Sequence, residues 1–448
     1  MKNFDVIKNA LVEAAREAGI GEYEIYFESG SNLSADTLKD ALNSLSSGTT
    51  GGICFRCVID GRMGYASSEV MEPEEMRELV ARAANNARYI GTEECEVIFA
   101  GSPEYGKKTR DYTPMPDAET LKSTALEIQK NNFAHGEYVA DSTQSTCIAY
   151  ESETVICNSH GLELSNRAGF AGAYSEIVVN KDGEQVYGID FARQLDSESL
   201  RALSDRAYDD AMSKLGAGEV ESGKYDIVIS GDEMRSMLSA FWPVFSGRSV
   251  RLGMSLLGDK VGEKIAADCV TLSDDPFDPN CPVQTTFDAE GVATRRKNVI
   301  ENGVLKTLLY NLSEASKAGK ESTGNAFKGG YADTVGIRPY RLGLEPGEYS
   351  LEELFAKVGN GIYVTEVKGL HAGADENTGD FSVESAGFMI ENGKRGRAVK
   401  SFTIAGNFYE MLRDITELGN HVEYGLPAGL NVFASPDVVV RNISVAGK

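Results

Sequence analysis

Phe381-Ser-Val-Glu-Ser-Ala-Gly-Phe-Met-Ile-Glu-Asn392-Gly393-Lys-Arg-Gly-Arg-Ala-Val-Lys-Ser-Phe-Thr-Ile404 reads as two strands, at about 381–391 and 394–404, turned by Asn392-Gly393. Asn-Gly is the pair that a two-residue hairpin turn favours, because both residues tolerate positive φ. The same pair recurs at Asn302-Gly303, between strands expected at about 292–300 and 304–311. Repeated hairpin chemistry argues for an antiparallel β-rich half, barrel-like or a strongly curved sheet. Around it the pattern predicts a short apolar strand at 225–230, a broken helix over 232–257 interrupted at Pro243 and Gly247, a helix near 406–418 and closing strands near 429–445.

Working back towards the start, Gly216, Gly218 and Gly223 make the clearest break in composition. The chain is therefore expected to divide into domains at 1–220 and 221–448. The first opens with Phe4, Ile7, Leu11, Ala14 and Ala15 at helical spacing, then a strand at 22–28. Strands at 52–59 and 62–66 flank the hairpin pair Asp60-Gly61, and Pro73 opens a helix to about Tyr89. A helix over 117–133 follows, then strands near 137–149, 151–157, 162–179 and 184–194, and a helix capped by Ser197 that runs to about Leu215. The fold class is α+β: an N-terminal α/β domain with an antiparallel meander, then a C-terminal antiparallel β-rich domain with peripheral helices.

Composition narrows the function. At 448 residues, 42% hydrophobic and 25% charged, the chain has the make-up of a globular protein with two or three domains. Its 44 basic against 68 acidic residues leave a net charge of -24 without a basic run, which disfavours nucleic-acid binding. No stretch approaches the roughly 18 apolar residues of a membrane span, and the first twenty residues carry Asp5, Glu13 and Glu17 where a secretory signal would be apolar. A cytoplasmic location is expected, with the seven cysteines (54, 57, 95, 147, 157, 269 and 281) as reduced thiols.

Several chemistries are missing. The four histidines (135, 160, 371 and 421) stand at least twenty-five residues apart, so no helix carries a His-Glu-x-x-His zinc pair. Cys54-Phe-Arg-Cys57 has CxxC spacing, but in a strand positions i and i+3 face opposite sides, so it reads as two strand cysteines. The acidic run Asp274-Asp-Pro-Phe-Asp278 reads as a solvated turn rather than a cation site. The stretch from Gly369 to Gly387 holds four glycines and an acidic-polar set, a composition that lines a cleft more often than it fills a core.

Four strings, in order along nearly the whole chain, resemble the TldD/TldE family, also called PmbA or "modulator of DNA gyrase". They are Arg56-Cys-Val-Ile-Asp-Gly-Arg-Met-Gly-Tyr-Ala-Ser-Ser68; Thr286-Phe-Asp-Ala-Glu-Gly-Val-Ala-Thr-Arg-Arg296, running into Ile300-Glu-Asn-Gly-Val-Leu-Lys306; Ser322-Thr-Gly-Asn-Ala326; and the stretch from Gly369 through Ile404-Ala-Gly-Asn407. The resemblance implies a strand where Leu38, Leu42 and Leu45 show helical spacing. It also implies a cytoplasmic heterodimer in which one subunit holds zinc through a His-Glu-x-x-x-His helix and a late cysteine, while a second resembles it without the metal. The corresponding segment here, Gly231-Asp-Glu-Met-Arg-Ser-Met-Leu-Ser-Ala-Phe-Trp242, has Glu233 but no histidine, and the last cysteine is Cys281. The chain thus resembles the TldE/PmbA partner: no catalytic residue and no metal or cofactor of its own, zinc expected in a TldD-like metal-bearing subunit, and an extended or unfolded peptide as substrate. Binding residues expected on this reading are Gly369, His371, Gly373, Gly379, Asp380, Phe381 and Ser382, with strand addition to a peptide backbone as the mode. A peptidase active by itself, and a homodimeric peptide-binding module without catalysis, are the alternatives.

Overall fold

The computed structural model describes residues 4–90 and 97–448; Cys95 lies outside them. Strands β1 (Glu22–Leu38), β2 (Ala41–Ile59), β3 (Arg62–Ser68), β4 (Gln144–Asn158), β5 (Glu163–Lys181) and β6 (Glu184–Ala192) form an antiparallel sheet in the order β3-β2-β1-β4-β5-β6. β1 runs far beyond residue 28, pairing with β2 as far as Leu38 opposite Ala41. Leu38, Leu42 and Leu45 therefore belong to a hairpin, whose turn places Lys39 at φ 58°. The two strands expected at 137–149 and 151–157 are one, β4, held straight between β1 and β5.

One face of this sheet carries four helices, α1 (Phe4–Glu17), α2 (Met76–Tyr89), α3 (Ala118–Phe133) and α4 (Ser197–Ser213). The five apolar positions anticipated in α1 are its buried ones. They meet Ile25, Phe27, Ile53 and Phe55 in one cluster, while Leu121, Ala125, Leu200 and Leu203 pack over Leu33, Ala35 and Cys147 in another. Asp117 caps α3, accepting from Thr120 N, and Asp196 rather than the expected Ser197 caps α4, accepting from Ser199 N at 3.0 Å. Each edge strand has a glycine notch. A Cβ on Gly64 would lie 2.0 Å from Ala83 O of α2, and one on Gly188 2.0 Å from Ala207 O of α4.

The opposite face of the sheet meets the second half. There β7 (Gly223–Ile229), β8 (Leu272–Asp274), β9 (Lys297–Glu301), β10 (Val304–Leu305), β13 (Arg341–Leu344), β14 (Gly361–Lys368), β15 (Asp380–Glu391), β16 (Lys394–Asn407), β17 (Ile415–Tyr424) and β18 (Val432–Ala446) make a ten-stranded sheet, with β11 (Ala326–Phe327) and β12 (Gly336–Ile337) as a separate pair. The sheet curls because β7 pairs on both sides, parallel to β14 and antiparallel to β18. The β13–β18 pairing is parallel too, so the half is strongly curved and mixed rather than wholly antiparallel. Asn302 and Asn392 take φ of 48° and 51°, and Gly303 and Gly393 81° and 74°, as the two hairpin turns require. The first hairpin is shorter than its sequence suggests: the strand expected at 304–311 stops at Leu305, and its partner begins only at Lys297.

Helices α5 (Gly231–Phe241), α6 (Gly247–Arg251), α7 (Leu312–Lys317), α8 (Leu351–Val358), α9 (Leu370–Gly373) and α10 (Phe408–Asp414) surround the curved sheet. The helix anticipated at 406–418 ends at Asp414, where Ile415 turns extended and begins β17 against β18. Phe241 of α5 stacks on Phe408 of α10 at 4.6 Å between ring centroids, at the centre of the larger core.

Candidate functional site

Helix α5 begins where Ser230 Oγ accepts from Glu233 N at 3.3 Å and Gly231 N donates to Asp437 Oδ1 of β18 at 3.0 Å. A side chain at Gly231 would collide with Ser435 O at 2.6 Å, so the helix start sits directly on β18. Met234, Met237, Leu238 and Phe241 are buried, which leaves Asp232, Glu233, Arg235 and Ser236 on the polar side. Carboxylates crowd this end: Asp232, Glu233, Glu423 of β17 and Asp437. Burial first, then neighbouring negative charge, pushes Glu233 up to about 7 and raises Glu423. Burial likewise pushes Asp437 up to about 6, against the hydrogen bond from Gly231. Arg235 pairs with Asp232 at 2.7 Å and His421 lies 3.2 Å from Glu423.

This donor set does not suit a catalytic zinc. One-turn pairs along α5 combine Glu233 with Met237 and Met234 with Leu238, and neither supplies two imidazole or thiolate ligands. Among the described residues, no three His, Cys, Asp or Glu side chains converge as a metal site.

The glycine-rich stretch adjoins α5. Gly369, at φ 79°, leads into the single turn α9, where His371 is exposed. The chain then closes on itself: Gly373 N donates to Gly369 O at 2.8 Å, Asp375 N to Asp380 O at 2.8 Å, and Gly379 N to Asp375 O at 2.8 Å. Asp375 Oδ1 also accepts from Asn377 N at 2.8 Å. These backbone groups are engaged internally, so the loop does not present the open strand edge expected for peptide addition. Gly373 is needed for close approach, since its Cβ would lie 2.4 Å from Ser382 O, and Gly379, at φ 82°, passes the Tyr409 ring. Asp380 is exposed and accepts from Asn407 Nδ2 at 2.8 Å, and Ser382 is exposed. Phe381 departs from expectation: it is 4% exposed, edge-on to Phe241 in the core, because β15 alternates and Phe381 falls on its inward face.

The acidic turn also departs from expectation. Asp274 is fully buried, accepting from Lys297 Nζ at 2.9 Å, Asn325 Nδ2 at 2.7 Å and Tyr340 N at 2.8 Å. Asp278 pairs with Arg341 at 2.8 Å and Tyr424 Oη at 2.9 Å. Both carboxylates are compensated by cations of the protein rather than solvated. Two of the quoted strings meet in a similar lock: Arg56 forks onto Glu24 at 2.8 and 3.0 Å and lies 3.7 Å from Glu290. Cys54 and Cys57 face opposite sides of the sheet, as their spacing predicts, and burial pushes the Cys57 thiol up to about 11.

Between the halves, close to the acidic end of α5, runs a cleft of about 790 Å³ walled in part by Arg193, Arg296, Arg341, His421 and Tyr424. Sequence reading missed it, because its walls come from seven separated segments with no shared motif.

Residues 222–447 match the PmbA/TldA metallopeptidase C-terminal domain, 23–87 its domain 1 and 112–215 its central domain. The chain is 28% identical to a metalloprotease of Methanothermobacter thermautotrophicus over 93% of its length and 94% of the relative's. It is 25% identical to metalloprotease PmbA of Escherichia coli O157:H7, covering 89% and 88% of the two chains. In structure it resembles a putative modulator of a DNA gyrase from Thermotoga maritima (TM-score 0.89, 30% identity, 99% of this chain and 100% of that one). It also resembles TldE from Thermococcus kodakarensis (TM-score 0.85, 26% identity, 98% and 100%). The chain belongs to the PmbA/TldA metallopeptidase family.

Proposed function

We propose that this family member is the non-metallated, TldE/PmbA-like subunit of a cytoplasmic metallopeptidase that degrades or matures peptides, and that it supplies one wall of the substrate cleft. Helix α5 carries this reading. It corresponds to the segment where the metal-bearing subunit of the family has its His-Glu-x-x-x-His helix, and its polar side offers Asp232, Glu233, Arg235 and Ser236 instead. A TldD-like partner brings zinc and the hydrolytic chemistry, while this chain binds and orients an extended peptide. The exposed loop side chains His371 and Asp380, with Ser382, are the proposed contacts beside α5, and the two halves, 1–220 and 221–448, act as separate domains flanking the cleft.

The test is to purify the chain alone and with a metal-bearing relative, then measure zinc per chain and chelator-sensitive cleavage of an unfolded peptide. Expected are no cleavage by the lone chain and activity in an equimolar complex. Stoichiometric zinc with cleavage by the lone chain, or a tight homodimer that ignores metal-bearing relatives, would overturn the reading.

A further inference from the structure

A second cavity, of about 520 Å³, lies between the helix-free face of the six-stranded sheet and loops of the C-terminal half. Its floor is one cross-strand row: Glu28 on β1 stands opposite Thr154 on β4, which stands opposite Asn166 on β5. Side chains of such a row point to one face. On the β2 side the row ends in Gly52, where any Cβ would strike the Tyr331 ring at 2.4 Å, so Tyr331 rests against that end of the row.

Two acceptors on this floor are buried without a hydrogen-bond donor, Glu28 Oε2 and Asn166 Oδ1, and Asn166 is only 5% exposed. Burial without a partner is unfavourable for each of them, and more so for a charged group. Across the cavity Arg338 stacks over Phe327, its guanidinium 4.8 Å from the ring centroid, and among the described residues it makes no ion pair and no side-chain hydrogen bond. The other charged groups of the lining are already engaged. Lys328 Nζ donates to Tyr331 O at 2.9 Å and lies 4.6 Å over the Tyr26 ring. Asp288 accepts from the backbone N–H groups of Glu290, Val292 and Ala326 at 2.9, 3.0 and 3.0 Å.

We infer that this cavity binds a small zwitterion, an amino acid or short peptide with free termini, its ammonium on Glu28 and Asn166 and its carboxylate on Arg338. A ligand bearing only a cation leaves the guanidinium unanswered, and one bearing only an anion leaves both acceptors unanswered. An ammonium brings three donors, enough for both acceptors, and Arg338 presents the planar fork that suits a carboxylate. Phe287, Phe327 and Tyr340 add apolar surface for a side chain, and the volume falls in the range of small-molecule sites. The site is read on the isolated chain and is independent of the subunit assignment.

Calorimetric titration of the full chain with leucine and with the dipeptide Ala-Leu distinguishes the two ligand sizes, and N-acetyl-Ala-Leu and Ala-Leu-amide test the two ends. Expected is binding of leucine or Ala-Leu that weakens at least about tenfold on capping either terminus, each cap removing one charge-assisted hydrogen-bonded end. E28Q should cost as much as N-acetylation and R338A as much as amidation. E28Q is isosteric, and its unfolding midpoint shows whether it folds; should it not, R338A, with no ion pair to lose, decides alone. No heat with either ligand at millimolar concentration, or binding indifferent to both variants, overturns the inference.

Discussion

Arg56 is 3% exposed, and its charge is balanced by Glu24 on the adjacent strand and by Glu290 from the other half. Deleting one partner of such a pair strands a buried charge, which costs far more than the pair contributes as a whole. E24A should therefore lower stability by about 3–5 kcal/mol in chemical denaturation, whereas a double exchange of Arg56 and Glu24 for apolar residues should cost clearly less. Glu233 makes the opposite kind of prediction. Burial raises its folded-state pKa from 4.5 to about 7, so the folded chain holds that proton more tightly than the unfolded chain does. Its contribution is fully present below pH 4.5 and is lost as pH rises to about 7, amounting to at most about 3 kcal/mol. Stability measured as wild type minus E233Q should fall across that window and stay flat above it; a difference that rises with pH would contradict the burial argument.

At the scale of elements, the glycine notches are the sharpest test of packing. With Gly64 on β3 and Gly188 on β6, α2 and α4 rest their backbones directly on the edge strands, and an added methyl meets carbonyl oxygen rather than a movable side chain. G64A and G188A should each cost about 1–3 kcal/mol, read as a lowered unfolding midpoint, although alanine is otherwise the better residue in a strand interior. Turn chemistry was the most legible part of the sequence: Asp60-Gly61, Asn302-Gly303 and Asn392-Gly393 each form the turn their residues favour. What escaped was pairing length. Nothing local at 29–38 announces a strand, because Ser, Asn and Asp there are held by long partners on both sides, β2 and β4. The end of α10 at Ile415 is likewise decided by β18, not by helical spacing. Alternation in the strand expected at 381–391 did carry the information that Phe381 and Val383 face inward, and counting Phe381 among the cleft-lining binding residues overrode it. The floor of the second cavity was beyond sequence reading, since Glu28, Thr154 and Asn166 become neighbours only through the register of three strands.

At the scale of the molecule, the question is whether the two halves stand alone. The face of the first sheet turned towards the second half carries Arg56, whose lock to Glu290 crosses the boundary. Further hydrogen bonds join Tyr105 Oη to Gly291 O at 2.8 Å, Thr109 N to Gln284 Oε1 at 2.8 Å, Tyr150 Oη to Gly429 O at 2.7 Å and Arg193 to Tyr424 O at 2.8 Å. Tyr26, Cys54 and Ile156 of the first sheet share an apolar cluster with Phe287 of the second half. Separating the halves would expose that cluster and take Glu290 away from the buried Arg56 at once, so neither should unfold much before the other. The chain provides its own reporter, because its single tryptophan, Trp242, lies beside α5 in the second half. Urea unfolding followed by Trp242 fluorescence should coincide with hydrogen-exchange exposure of β1, β4 and β5. In E290A, where Arg56 loses the anionic partner that the second half supplies, the two transitions should move apart, with the first sheet opening at lower urea. Separate transitions already in the wild type would mean that the buried bridges do not couple the halves, and that the cleft between them opens without unfolding either wall.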